Sequence, residues 1–234
     1  HSDKLTSLIV PKNSKSVLSE SFRSLRTNIQ YLAVDKTKKV ITVSSSIGGE
    51  GKTFCSMNIA SIFALSGKKT VLIGADLRKP KLELEFKSEN KSGLSNYLIN
   101  KSTLKEITNK TDIKNLDIIF SGPTPPNPAE LLDSTKMQEL IKKLNIEYDY
   151  VIIDTPPIGL VTDGVILMKN ADINLYVVRH NYTKYQALSV VNGLYNNKKV
   201  ENLQIIINDY QNDIGNYGYG YGYGYGYGYG YGGG

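Results

Sequence analysis

Eight consecutive residues, Ser46-Ile-Gly-Gly-Glu-Gly-Lys-Thr53, bring three glycines, a lysine and a threonine together at a spacing that suits a chain of phosphates. Gly48, Gly49 and Gly51, with Glu50 between them, let the backbone wrap so that its N–H groups face phosphate oxygens. Lys52 sets a cation at the β- and γ-phosphates, and the Thr53 hydroxyl can bind Mg²⁺. The stretch departs from the usual phosphate-loop pattern at its first position, where Ser46 replaces glycine. Two carboxylates lie at the ends of short apolar runs, Asp76 in Val71–Arg78 and Asp154 in Val151–Asp154. An acid ending a buried strand beside such a loop is the Walker B arrangement, with Mg²⁺ as its natural ligand. Taken alone, either carboxylate is equally a cap or a turn residue.

These groups act together only if the chain brings them to one place. Lys39–Ser45 is a short β-branched run that enters the glycine turn, and a helical stretch from Thr53 to Ser66 leaves it, closed by Gly67. Further strands are predicted at Thr70–Ala75, Leu116–Phe120, Tyr150–Asp154, Ile173–Val178 and Leu203–Ile207, with helical segments at Ser134–Leu144 and Lys184–Tyr195. Apolar runs of this kind read as strands buried on both faces, as in a parallel sheet covered by helices. The expected fold is therefore α/β, a three-layer sandwich around a mostly parallel sheet. In such a sheet the strand ends bearing Thr53, Asp76 and Asp154 converge on one carboxyl edge. Upstream, Phe22, Leu25, Ile29 and Leu32 recur at helical spacing across Ser16–Leu32.

The 234 residues suffice for one such domain at 16–210, between a polar lead-in at 1–15 and a tail at 211–234. The tail holds eight Tyr-Gly dipeptides, Tyr217 to Gly232. Glycine at every second position makes ordering costly, so this segment reads as disordered. The single cysteine, Cys55, excludes a disulfide framework. No apolar run approaches the ~18–20 residues that a spanning helix needs. A start at His1-Ser2 reads as a scar on an excised fragment. The net charge of +6 is scattered in small lysine groups such as Lys142/Lys143, a solvated surface rather than a nucleic-acid footprint, and compatible with an anionic membrane nearby.

Asp76 and Arg78 after a buried strand resemble the Walker A′ motif of the bacterial tyrosine kinases that control capsule and exopolysaccharide production. Glu20, Arg23 and Arg26 resemble that family's Glu-x-x-Arg-x-x-Arg oligomerisation motif, and Pro125–Leu132 and the terminal tyrosines match as well. The resemblance implies the deviant-Walker phosphate-loop sandwich, ATP and Mg²⁺ as cofactors, and Asn208 as an adenine contact, a position that also suits a strand-end turn. Lys52, Asp76 and Asp154 are implied as catalytic, with Thr53, Asp76 and Asp154 around the metal and Arg78 orienting phosphate or pairing in a salt bridge.

It further implies phosphorylation of Tyr217, Tyr219, Tyr221, Tyr223, Tyr225, Tyr227, Tyr229 and Tyr231, in trans within a ring of copies. Expected partners are a membrane-anchored activator region, in cis or as a separate chain, and a tyrosine phosphatase, at the cytoplasmic side of the membrane. Two departures stand out: Ile47 replaces the signature lysine of the related partition ATPases, and Gly74 replaces the first aspartate of Walker A′. A partition-type ATPase switch and a non-catalytic nucleotide-binding scaffold are the alternative readings.

Overall fold

A computed structural model describes residues 8–10, 15–32, 39–88, 92–159, 163–196 and 200–211. In chain order the elements are α1 (Val17–Tyr31), β1 (Lys39–Ser45), α2 (Lys52–Leu65), β2 (Thr70–Gly74), α3 (Leu82–Glu85), α4 (Leu94–Leu98), α5 (Leu104–Ile107) and β3 (Thr108–Lys110). They continue through β4 (Leu116–Ile119), α6 (Pro128–Asp133), α7 (Thr135–Glu147), β5 (Tyr150–Asp154), α8 (Asp163–Met168), β6 (Ile173–Arg179), α9 (Leu188–Asn196) and β7 (Leu203–Asn208). The seven strands form one sheet in the order β3-β4-β2-β5-β1-β6-β7, parallel except for β3 against β4.

Each strand feeds one face with its even residues and the other with its odd ones, because side chains alternate across a sheet. Ile41 and Val43, Leu72, Ile152, and Leu175 with Val177 pack under α1 and α2. Val40, Val71 and Ile73, and Val151 with Ile153 pack under α4, α6, α7 and α8. Tyr176 meets Val191 and Leu194 of α9 on that second face. This is the expected three-layer α/β sandwich, and the parallel strands end together at one edge.

Local signals set the elements that matter there. Ser16 caps α1 through the Ser19 N–H, and Ser134 caps α7 through the Met137 N–H. Phe22 and Ile29 carry α1 onto α2, where the Phe22 and Phe54 rings lie 5.9 Å apart. Leu32, assigned to the same stripe, is more exposed, at 37%, because it caps the helix beyond its packed turns. Part of the stretch read as a polar lead-in is anchored: Ile9 and Val10 donate their N–H groups to Asn58 Oδ1 of α2 at 3.0 and 3.1 Å. The segment Lys184–Tyr195 opens as a 3₁₀ turn at Tyr185–Ala187 before α9 begins. The tail tyrosines, Tyr217 to Tyr231, lie outside the described residues.

The β4 exit is held by backbone crowding. An added Cβ on Gly93 would meet Phe120 O at 2.3 Å and Gly122 N at 2.4 Å, both main-chain atoms that cannot step aside. Gly93→Ala is expected to destabilise the fold by about 1–3 kcal/mol in urea unfolding. Gly193 in α9 has nothing within 4 Å of that position, so Gly193→Ala is expected to stabilise by about 0.5–1 kcal/mol.

Candidate active site

The loop 46–51 crosses from the end of β1 to the start of α2, and its shape is enforced from outside. Gly51 caps α2 with φ +94°, a conformation that L side chains rarely adopt. A Cβ there would also overlap Asn208 Nδ2 at 2.1 Å. The Glu50 carboxylate is fully buried and turned inward, accepting from Ile47 N at 2.8 Å and from the Thr183 hydroxyl. It braces the loop and leaves only its backbone for a phosphate. Ser46 takes the first position without harm because its hydroxyl turns toward the sheet and bonds with the Tyr176 hydroxyl. The outer side is closed by Tyr182, whose hydroxyl donates to Gly48 O at 3.0 Å, and by Arg179, whose Nη1 donates to Gly49 O at 3.1 Å.

Inside the loop, three strand ends meet as the topology demands. Lys52 Nζ donates to Asp76 Oδ2 at 3.1 Å and lies 3.5 Å from Asp154 Oδ1. The hydroxyls of Thr53 and Ser56 donate to the two Asp154 oxygens at 2.8 and 3.3 Å. Asp76 also accepts from Lys79 N at 3.1 Å, which fixes the turn after β2. Lys52, Asp76 and Asp154 are only 6%, 5% and 2% exposed.

Burial alone would lower the Lys52 ammonium, yet Asp154 and Asp76 lift it above the ordinary lysine range. Burial pushes the Asp154 carboxyl up, while Lys52 and the Thr53 hydroxyl pull it back. These directions conflict over Asp154. Two hydroxyl donors aimed at its oxygens stabilise the anion, so the charged pair is the state that fits the geometry. Cys55, beside them, is an inert thiol: burial pushes it up to about 12.

The donor set of one hydroxyl and two carboxylates is all hard oxygen, which fits Mg²⁺ held by one or two acids plus substrate phosphates. No group of three or more His, Cys, Asp or Glu side chains able to hold a metal occurs among the described residues. A cleft of about 310 Å³ opens over these groups, lined by the loop glycines, Lys52, Thr53, Asp76 and Arg78. Of the other candidates, Asn208 reaches the loop through a 3.0 Å bond from Nδ2 to Glu50 O.

Arg78 pairs in a fork with Asp163, Nε to Oδ2 at 2.7 Å and Nη2 to Oδ1 at 3.3 Å. Sequence reasoning missed Asp163, Thr183, Arg179 and Tyr182, because nothing in their neighbourhood signals contact with residues 85 to 134 positions away. Glu20 and Arg23 pair with each other on α1, away from the cleft, and Arg26 is half-buried with Nε lacking a hydrogen-bond partner among the described residues. Lys52→Met would leave two buried carboxylates without their cation. Urea unfolding without nucleotide should show a loss of about 3–5 kcal/mol.

Residues 38–209 match the family described as AAA domain. The chain is similar to the tyrosine-protein kinase YwqD of Bacillus subtilis (strain 168), 43% identical over 177 residues, which make up 76% of this chain and 75% of that protein. It is 36% identical over 210 residues to the tyrosine-protein kinase ptk of Acinetobacter johnsonii, covering 90% of this chain but 29% of that protein. The crystal structure of the chimerical protein CapA2B2 superposes with a TM-score of 0.82 at 36% identity, covering 87% of this chain and 90% of that one. The family match spans the loop, both carboxylates and all seven strands. The chain belongs to the bacterial tyrosine-protein kinases, built on a nucleotide-binding phosphate-loop domain.

Proposed function

We propose that this kinase uses Mg-ATP to phosphorylate the tyrosines of its own C-terminal tail, Tyr217 to Tyr231, within an oligomer that serves capsule or exopolysaccharide synthesis. The observation that carries the reading is where the last described strand ends. Asn208 bonds to the phosphate loop at Glu50, Asp209 binds Arg179, and Arg179 bonds to Gly49 O. The Tyr-Gly segment begins eight residues along the chain from Asp209, which is tied through Arg179 to the loop that would hold the γ-phosphate. Its 18 residues from Tyr217 reach at most about 60–65 Å when extended, enough to enter a neighbouring copy. Alternating glycines keep the chain thin, so any register offers a hydroxyl.

The chemistry asks mainly for positioning and charge. The loop N–H groups and Lys52 hold the phosphates, and Lys52 leaves its carboxylates to do so. Thr53, Asp76 and Asp154 would hold Mg²⁺, which neutralises charge on the phosphate oxygens when bound. The tyrosine hydroxyl oxygen attacks the γ-phosphorus and the bond to the β–γ bridging oxygen breaks. ADP leaves, and the phenolic proton passes to the Asp76 carboxylate. Arg78, anchored by Asp163 at the cleft wall, orients the incoming chain, and Asn208 borders the base.

Assembly is proposed through α1, with Glu20, Arg23 and Arg26 facing a second copy. No helix among the described residues is long and apolar enough to cross a membrane. The proposed activator region sits at the cytoplasmic face of the membrane, fused or separate; relatives of similar length and of much greater length support leaving both arrangements open. A tyrosine phosphatase would reset the tail.

Intact-mass measurement after incubation with Mg-ATP should give a ladder of added phosphates that map to Tyr217–Tyr231, absent in Lys52→Met. No added phosphate in the parent, with or without an activator, removes the reading. Mixing Lys52→Met with an active chain cut after Gln211 tests transfer between copies. Phosphate on the Lys52→Met tail is expected. Its absence while the parent labels itself confines the reaction to one chain. Sedimentation of Glu20→Ala/Arg23→Ala/Arg26→Ala should show a smaller assembly than the parent.

A further inference from the structure

Position 74 has no side chain, yet it sits where a carboxylate would matter. Gly74 and Asp154 are register partners at the ends of β2 and β5. Leu72 and Ile152, two residues earlier on each strand, lie under α2, so residue 74 and Asp154 share the face that carries Lys52 and Thr53. A Cβ on Gly74 would lie 2.9 Å from Ser121 Oγ and 3.4 Å from Ser121 N. A short acidic side chain there would therefore meet the Ser121 N–H.

That N–H is already taken by another carboxylate. Ser121 N donates to Glu83 Oε1 at 2.8 Å, although the two residues are 38 positions apart. Glu83 is only 5% exposed, and its Oε2 is buried with no hydrogen-bond partner among the described residues. Its neighbour Leu82 fills the rest of the space over Gly74, with Cδ1 3.2 Å from the missing Cβ. A buried acid with one satisfied and one unsatisfied oxygen costs stability unless its charge has a use.

We propose that Glu83 is a positioning residue of the nucleotide site, supplying from α3 the negative charge that position 74 lacks. It occupies the Ser121 N–H niche over Gly74, whose register partner is Asp154. Its buried Oε2, with no hydrogen-bond partner among the described residues, leaves charge that favours a divalent cation at the same edge. The proposal rests on the reading of Mg²⁺ as the partner of the bound nucleotide.

Glutamine separates charge from shape, since Glu83→Gln keeps an acceptor for Ser121 N and loses only the charge. The experiment is a Mg²⁺ titration of ADP binding by the full chain, with melting temperature measured alongside. Glu83→Gln should melt no lower than the parent, while its Mg²⁺ midpoint rises about tenfold, the usual scale for groups behind a metal's own ligands. Adding Gly74→Asp to Glu83→Gln should return the midpoint to within about threefold of the parent, because the new carboxylate returns a negative charge to the niche over position 74.

An unchanged midpoint in Glu83→Gln overturns the proposal, and so does a chain that loses its fold, since Glu83 would then be structural. Failure of Gly74→Asp to restore the midpoint also counts against it. A parent whose ADP binding ignores Mg²⁺ would instead remove the metal reading, and this proposal with it.

Discussion

Three charges out of water, Lys52 between Asp76 and Asp154, are the constraint around which this molecule is arranged. An ammonium and two carboxylates at this depth each carry a desolvation penalty of several kcal/mol, and mutual attraction offsets it only with good geometry and further hydrogen bonds. The sheet supplies the geometry, because parallel strands deliver residues 52, 76 and 154 to one edge. Thr53, Ser56 and the Lys79 N–H supply the remaining bonds. A hydrophobic replacement would cost nothing in solvation. On the proposed function the charged cluster stands in for a ligand: phosphate charge would replace the carboxylate partners of Lys52, and a cation would replace Lys52 beside the carboxylates.

The rest of the site protects that exchange. Glu50, Thr183, Arg179, Tyr182 and Asn208 all grip the phosphate loop from residues on β6, β7 and the turn after β6, or from within the loop itself. Rigid backbone N–H groups need no reorganisation when charge arrives, which is how a kinase lowers its barrier without a covalent step. The same contacts tie the loop to the strand from which the tyrosine tail departs. On the proposed function, binding of phosphate and delivery of tyrosine would share one edge of the sheet. The long connection from β6 to β7 is what closes that edge on the outside.

Much of this was legible beforehand, for identifiable reasons. Lys39–Ser45 and Tyr150–Asp154 were read with their observed bounds, since runs of β-branched residues bounded by turn residues have few other readings. The antiparallel edge strand Thr108–Lys110 carries no apolar signal at all, and its pairing depends on β4 being there first. The helices Leu82–Glu85, Leu94–Leu98 and Leu104–Ile107 are too short to show a period, and tertiary contacts hold them. Arg78 was left between a phosphate contact and a salt bridge because its acid, Asp163, lies 85 residues away.

By itself the amino-acid sequence determined the fold class, the phosphate loop, the two strand-end carboxylates and the tyrosine-rich tail. Each is a local pattern whose chemistry is written in adjacent residues. Only the tertiary structure decided that Lys52 rests on both acids, that Glu50 is a brace, that Arg78 is anchored by Asp163, and that Glu83 stands against the niche over Gly74. Those facts depend on which side chains meet across 24 to 133 positions of chain. Packing geometry, rather than residue type, sets such meetings.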